Sequence, residues 1–347
     1  MKKAKTLLIK NKDELEFVDL QMPVLNDYEV LFKTKYCSLC TVDRRTYKGT
    51  RNYGYPFLGG HECSGVVEAV GKGVVEIKPG DNVIFTSGYC NQCELDRSGR
   101  GTQCKNKKQM PKRANVDGNI LGGGLSEYLA IPAWQVIKLP EDVNMAHAAL
   151  TEPLACCIHS IEKARIELGD TVVIIGMGIM GYFQLKLAQM KGARVIVSEM
   201  DEARKRKAIE HGAAYVLDPS KENVVERVKE LTNGLGAEVV INTIPTASVW
   251  GDAIDMLAPY GRLIAYSSQD SKDKIGVDFG LIHSKEIELI GTLNPNIDDN
   301  ERATRLIRYQ MIDMDEVIDE TYTFEDGMKA FEKACEPNTY RVMIRYD

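Results

Sequence analysis

The chain lacks any run long and apolar enough to cross a bilayer: its longest nearly apolar stretch, 172–183, carries three glycines and falls short of the about 20 residues a spanning helix needs. An export signal is missing as well. Met1-Lys2-Lys3-Ala4-Lys5 runs on to Asp13, Glu14 and Glu16 without an apolar core or a small-residue cleavage site, so a cytoplasmic protein with no membrane association is expected. Basic charge is not in excess: 44 Lys+Arg against 50 Asp+Glu leave a formal net charge of -6, which argues against a nucleic-acid partner. Neither an internal repeat nor a low-complexity linker breaks the chain. The cysteines do not read as a disulfide framework, since nine is odd and no export signal accompanies them. Reduced thiols and metal ligands are the expectation.

What is present is the composition of a soluble globular protein, 44% hydrophobic and 27% charged. A length of 347 residues suggests two domains, because a single core rarely grows beyond about 250 to 300 residues. The two halves read differently. From Leu7 to about Pro140, short strands such as 29–33 and 64–70 alternate with turns like Pro79-Gly80-Asp81-Asn82, the pattern of a β-rich barrel. From about Cys156, apolar strands (171–175, 194–198, 238–242, 262–266, 286–290) alternate with helices (181–191, 201–211), and a helix at 301–311 leads into a mixed C-terminal segment. The fold class that follows is α/β, with a β-rich domain beside a doubly wound parallel sheet.

Two stretches carry chemistry. Gly60-His61-Glu62-Cys63-Ser64-Gly65 sets an imidazole beside a carboxylate, both suited to a borderline-soft divalent ion; a catalytic zinc needs about three protein ligands and an open position. Gly176-Met177-Gly178-Ile179-Met180-Gly181 follows a strand and opens a helix, the context that makes a glycine-rich turn a dinucleotide site, with the helix N-terminus facing the pyrophosphate. Glu199 then closes the second strand, where a carboxylate binds both ribose hydroxyls and repels a 2′-phosphate. Arg204, just beyond, is the cation that complicates that preference.

Together these features resemble the zinc-dependent medium-chain dehydrogenase/reductase family, over most of the chain. Its zinc signature, GHExxG and a further Gly after five residues, stands here as Gly60 to Gly65 with Gly71. Cys37-Ser38-Leu39-Cys40-Thr41-Val42-Asp43 is similar to the family's CGxCGTD segment, and Thr151-Glu152-Pro153-Leu154-Ala155-Cys156-Cys157 resembles the sorbitol-dehydrogenase branch. The resemblance implies Cys40, His61 and Glu62 as ligands of a catalytic zinc, with Glu152 as an exchangeable fourth ligand or a group beside it. Asp43 is then a residue that orients the site, and Thr41 lies near the cofactor pyrophosphate. Cys37, Cys63, Cys156, Cys157 and Cys335 remain structural thiols. For the whole chain the resemblance implies a GroES-like catalytic domain at 1–154, to which 295–347 returns, and a Rossmann NAD-binding domain at 155–294. It also implies zinc and NAD as cofactors, a reaction site in the interdomain cleft, and homodimers or homotetramers formed through the edge strand near 286–291.

Two departures from the family stand out. Its structural zinc takes four cysteines, whereas Cys90, Cys93 and Cys104 here hold three places and Asp96 the remaining one; the lobe either binds zinc with three thiolates and a carboxylate or has lost the metal. The residue two after the ligand cysteine, usually Ser or Thr in a proton relay, is Val42, so protons must leave through water, Glu62, Glu152 or a group such as Arg45. The basic run Arg44, Arg45, Lys48 and Arg51 fits either a phosphorylated substrate, as in ribitol-phosphate dehydrogenases of the family, or a solvated loop. The expected function is zinc-dependent hydride transfer between NAD(H) and a secondary alcohol or ketone, most simply a polyol or sugar alcohol. A phosphorylated polyol or an amino alcohol is the alternative substrate. A zinc-free quinone-reductase type and a non-catalytic NAD-binding protein are the competing readings on the same fold.

Overall fold

The computed structural model describes residues 3–51, 53–86, 88–107, 113–268 and 275–347; Met1 and Lys2 of the N-terminal segment read above lie outside them. Two compact units emerge, Met1–Ala155 with Asn296–Asp347, and Cys156–Pro295.

The first unit is β-rich. Its strands are β1 (Lys3–Asn11), β2 (Glu14–Gln21), β3 (Glu29–Ser38), β4 (Phe57–Leu58), β5 (Glu62–Val70), β6 (Asn82–Phe85), β7 (Asn119–Ile120), β8 (Tyr128–Pro132) and β9 (Val136–Lys138), with short helices α1 (Thr41–Tyr47), α2 (Glu94–Arg97) and α3 (Met145–Ala148) between them. A four-stranded sheet runs β2-β1-β4-β7. Apolar side chains, including Leu7, Ile9, Phe32 and Leu129 of the strands and Leu125 of the turn before β8, form one core that excludes water. Phe32 meets Phe85 edge-on at 5.3 Å between ring centroids, a geometry worth about 0.5–1.5 kcal/mol beyond the buried area.

The helix α4 (Thr151–Ala164) leads to the second unit, with β10 (Thr171–Ile175), α5 (Ile179–Met190), β11 (Arg194–Ser198), α6 (Glu202–Glu210), β12 (Tyr215–Leu217), α7 (Val224–Leu231), β13 (Ala237–Asn242), α8 (Val249–Asp255), β14 (Leu257–Ala265), α9 (Phe279–Lys285) and β15 (Glu288–Gly291). The strands form one parallel sheet in the order β12-β11-β10-β13-β14-β15. Every residue of central β10 is buried, as a strand covered on both faces must be, which explains its unbroken Val and Ile.

The chain then re-enters the first unit with α10 (Ile297–Arg308), β16 (Ile318–Thr323), α11 (Gly327–Ala334) and β17 (Arg341–Arg345). Strand β17 pairs with β3, completing a seven-stranded sheet in the order β16-β17-β3-β5-β6-β9, with β8 also on β3. That pairing places the last strand of the chain beside the segment that carries Cys40.

Several boundaries differ from the sequence expectation, each for a local reason. Strand β3 runs five residues past 29–33, to Ser38, because β5 and then β17 continue to pair with it. The helix expected at 301–311 starts at Ile297, since Asn296 and Asp299 form a reciprocal cap. The strand expected from 286 starts at Glu288, because Glu286 adopts a left-handed conformation (φ 53°) that ends α9. Helix α5 begins at Ile179, two residues early, with Gly178 as its cap.

Candidate active site

Cys40 occupies the turn between β3 and α1, where its backbone N–H donates to Asp43 Oδ2 at 2.9 Å. The other oxygen, Oδ1, accepts from the Gly60 N–H at 3.2 Å. Asp43 is fully buried and so ties the Cys40 turn to the segment that delivers His61. A Cβ at Gly59 would lie 1.9 Å from Asp43 Oδ1, which explains the glycine. The result is a group in which ligand atoms of Cys40, His61 and Glu62 all lie within 4.8 Å of one another.

Glu62 opens β5 opposite Ser38 of β3, and Arg341 opens β17 on the other side of β3. The arginine Nε donates to Glu62 Oε2 and Nη2 to Oε1, both at 2.8 Å, while the Ser38 hydroxyl donates to Oε2 at 2.6 Å. The same Nη2 lies 3.7 Å from Cys40 Sγ. Glu62 and Arg341 side chains are only 1% and 3% exposed, so this two-pronged pair is a buried one, strong only while both partners are present. Burial pushes the Glu62 carboxyl up, but the charge and hydrogen bonds of Arg341, then His61 and Ser38, outweigh it and hold the group below the ordinary range. Arg341 did not figure in the sequence reading. Its one signal is an arginine opening a strand whose next three residues, Val342-Met343-Ile344, are apolar.

Two groups of the cluster hold protons firmly. Burial and the Glu62 charge raise the Cys40 thiol, against His61 and Arg341. Burial lowers His61, yet the charge and hydrogen bond of Cys40, with Glu152 and Asp43, carry it well above the ordinary imidazole value. His61 Nδ1 is buried with no hydrogen-bond partner among the described residues, an arrangement that suits a nitrogen meant for a metal. Glu152 stands in the first turn of α4, outside the tight group but close enough for its charge to act on both His61 and Arg341.

Around this group, Val42 packs against the apolar core. Thr41 is exposed at the start of α1, its hydroxyl accepting from Arg44 Nη2 at 3.0 Å. Of the basic run, Arg44 also donates to the Ala334 carbonyl at 2.7 Å, and Lys48 pairs with Asp13 at 3.0 Å. Arg51 lies over the Tyr53 ring. Arg44 and Lys48 are thus engaged by the protein itself.

The second cluster brings Cys90, Cys93, Asp96 and Cys104 within 4.8 Å of one another. Asp96 Oδ2 accepts from the backbone N–H of Cys90 at 2.6 Å and of Asn91 at 2.9 Å, while Oδ1 is buried without a partner among the described residues. Backbone amides of Gln92 and Cys93 point at Cys90 Sγ, at 3.4 and 3.2 Å. Three sulfurs and an unpartnered carboxylate oxygen converging on one point suit zinc. The nine cysteines are thiols and not disulfides; Cys37, Cys63 and Cys157 are buried and Cys156 and Cys335 partly so.

In the second unit the glycine turn fits a dinucleotide. Gly176 has φ +94°, and a Cβ at Gly181 would lie 2.1 Å from the Gly176 carbonyl, so both positions require glycine. A Cβ at Gly178 would meet nothing within 4 Å, leaving open space in front of the first amides of α5, Ile179 and Met180 among them, for an anionic group. Glu199 follows β11; its Oε2 accepts from the Met177 N–H of this turn at 2.7 Å, and Oε1 accepts from Met200 and Asp201 at 2.8 and 3.0 Å. Arg204 is in the first turn of α6, its N–H donating to the capping Asp201 at 2.9 Å.

These arrangements agree with what the chain resembles among known proteins. The family described as "Alcohol dehydrogenase GroES-like domain" matches residues 26–141, and "Zinc-binding dehydrogenase" matches 179–309. D-arabitol-phosphate dehydrogenase of Enterococcus avium is 30% identical, with 96% of this chain and 94% of that protein covered. Sorbitol dehydrogenase of Halalkalibacterium halodurans is also 30% identical, with 93% of each covered. A zinc-binding dehydrogenase from Sinorhizobium meliloti, solved with NADP bound, superimposes with a TM-score of 0.89 at 25% identity, over 99% of this chain and 100% of that one. The chain therefore belongs to the zinc-dependent medium-chain alcohol dehydrogenase family, and is an oxidoreductase of the CH–OH group that uses zinc and a nicotinamide dinucleotide.

Proposed function

We propose that the protein is an NAD-dependent polyol or sugar-alcohol dehydrogenase, with the β-rich unit holding metal and substrate and the parallel-sheet unit holding the dinucleotide. The observation that carries the reading is the Cys40, His61 and Glu62 group, with an unpartnered imidazole nitrogen inside it. The substrate class rests on the relatives, whose names include D-arabitol-phosphate and sorbitol dehydrogenase. Cys40, His61 and Glu62 would hold the zinc, with Glu152 as an exchangeable fourth ligand or a group beside it; the ion would supply a Lewis acid for the substrate hydroxyl and the nicotinamide a hydride acceptor.

The chain's own residues do the rest. Asp43 fixes the Cys40 turn against Gly60, so that thiol and imidazole converge without reorganisation. Arg341 keeps Glu62 ionised within a buried site, and the guanidinium offsets thiolate charge at Cys40. Val42 offers no hydroxyl, so the substrate proton passes to a Glu152 carboxylate oxygen or to water. Glu199 accepts the adenosine ribose hydroxyls and opposes a 2′-phosphate: like charges about 4 Å apart cost roughly 4 kcal/mol at an effective dielectric of about 20, and a quarter of that gives about five-fold selectivity for NAD. The Cys90, Cys93, Asp96 and Cys104 lobe holds a second, structural zinc. We place the protein in the cytoplasm as a homodimer or homotetramer, paired through the exposed edge strand β15.

The test is a substrate screen of the zinc-loaded protein with NAD, in which free polyols, polyol phosphates and amino alcohols compete. Turnover of free polyols with at least one zinc per chain is expected. Faster turnover of phosphates would move the substrate class to phosphorylated polyols, and full activity in a verified zinc-free preparation would remove the Lewis acid from the mechanism.

A further inference from the structure

We propose that a ring of two lysines and two carboxylates beside Glu199 is a second determinant of cofactor choice, a 2′-phosphate site kept closed by its own acids. The proposal rests on the reading that Glu199 holds the adenosine ribose.

Strands β11 and β12 pair in parallel with Ser198 opposite Leu217, and the Glu199 N–H donates to the Leu217 carbonyl at 3.0 Å. Asp218 thus leaves β12 directly beside Glu199, at the carboxyl ends of the strands, where open parallel sheets take their ligands. Lys205, on α6, donates to Asp218 Oδ2 at 2.5 Å and to Glu202 Oε1 at 2.8 Å. Lys221, a few residues past β12, reaches the same two oxygens at 3.3 and 2.9 Å. Two ammonium groups share two carboxylates, and the ring is neutral. The Ser220 hydroxyl and N–H both donate to Asp218 Oδ1, which fixes the acid in place.

The inner half of the ring is built rather than merely solvated: Asp218 and Lys205 side chains are 8% and 12% exposed, against 65% and 64% for Glu202 and Lys221. Hydrogen bonds from Lys205, then Ser220 and Lys221, hold the Asp218 carboxyl below its usual range, and bonds to Asp218 and Glu202 hold the Lys205 ammonium above its own. A 2′-phosphate next to Glu199 needs cations with free protons. Lys205 and Lys221 have that chemistry, but each is matched by an acid already present. Removing one acid would release an ammonium to make a charge-assisted bond with the phosphate, so the ring acts on cofactor choice without touching NAD.

The experiment is fluorescence titration with NADH and NADPH, which reads binding independently of turnover. It compares the native protein with Glu199→Gln, Asp218→Asn, Glu202→Gln, the double variant Glu199→Gln/Asp218→Asn, and that double variant carrying Lys205→Met. Asp218→Asn and Glu202→Gln should each shift the NADPH-to-NADH affinity ratio about tenfold towards NADPH. Lys205→Met should return the double variant to the ratio of Glu199→Gln alone. Thermal unfolding checks that Asp218→Asn is folded, and the exposed Glu202→Gln gives the same answer without that risk. A shift with Glu199→Gln but with neither ring variant would make the ring a structural clasp and overturn the proposal, while the ribose role of Glu199 stands. No shift with Glu199→Gln would remove the ribose assignment and the proposal with it.

Discussion

The β-rich unit builds its two metal-type clusters by opposite routes. Cys90, Cys93, Asp96 and Cys104 come from one loop, and their carboxylate is held by backbone amides. Cys40, His61 and Glu62 come from two strand ends on either side of a helix, and their carboxylate is held by Arg341, 279 residues from Glu62 in sequence. The loop cluster gathers three thiols and a carboxylate, and among the described residues no cation is bonded to that carboxylate. In the distributed cluster the guanidinium offsets the Glu62 charge within the protein itself. A local cluster suits a permanent staple, and a distributed one suits chemistry.

The largest effect should come from the distributed site. Cys40→Ala or His61→Ala is expected to abolish turnover while NADH binding by the parallel-sheet unit persists, measured by activity assay and fluorescence titration on the same preparation. Next comes Arg341→Met, which strands the buried Glu62 carboxylate. Breaking a buried pair from one side typically costs about 3–5 kcal/mol, to be read from urea unfolding. Adding Glu62→Gln should recover most of that stability, because the orphaned charge goes. If the double variant is no more stable than Arg341→Met alone, the pair is not what stabilises this face of the sheet.

The loop cluster should respond less, and differently. Asp96→Ala is expected to lower zinc content from about two towards about one per chain and to loosen the lobe, with little direct effect on chemistry, whereas Asp96→Cys should keep both ions. An unchanged zinc count in Asp96→Ala would take Asp96 out of the ligand set. The pH dependence should also separate the clusters. Cys40 and His61 both have raised pKa values in the metal-free protein, so zinc must displace protons there and its affinity should fall as pH falls. In the loop, Cys93 is lowered by the Asp96 backbone hydrogen bond, although burial pushes Cys104 up to about 12. Zinc released by stepwise acidification, followed with a chromogenic chelator, should therefore show two phases.

What was legible in the sequence follows the same division. The turn from Gly176 to Gly181 and the loop from Cys90 to Cys104 are local: the first was legible from its place between a strand and a helix, and the second from its resemblance to a four-cysteine zinc lobe, with zinc or a lost metal both left open. Fold class was equally readable, because period-two and period-3.6 patterns change character near Cys156. Arg341 was not readable. Its partnership with Glu62 exists only because β17 returns to pair with β3, a long-range choice that no local pattern encodes. The start of α10 was missed for the opposite reason: a capping pair, Asn296 and Asp299, precedes the apolar pattern on which the expectation relied.

The finest contrast lies within the distributed site itself, where Asp43, Glu62 and Arg341 are anchored by hydrogen bonds but the position at which the family places a proton-relay hydroxyl is apolar. Val42 packs against the core beside Cys40, and its carbonyl accepts from the Thr46 hydroxyl at 2.8 Å. Val42→Ser is close in size, so it should fold with a modest loss from the missing methyl contacts and place a hydroxyl next to the metal group. General acid–base assistance is worth about 10²- to 10⁴-fold where none exists. Glu152 has a charge that acts on His61; on the proposal that it is the existing acceptor, the gain in Val42→Ser should be small and confined to the acidic limb of the pH–rate profile. Glu152→Gln should depress that limb, and the double variant should recover part of it. Should Val42→Ser instead raise turnover by two orders of magnitude in the native background, Glu152 is not the relay, and the slow step of the native enzyme is the proton's departure.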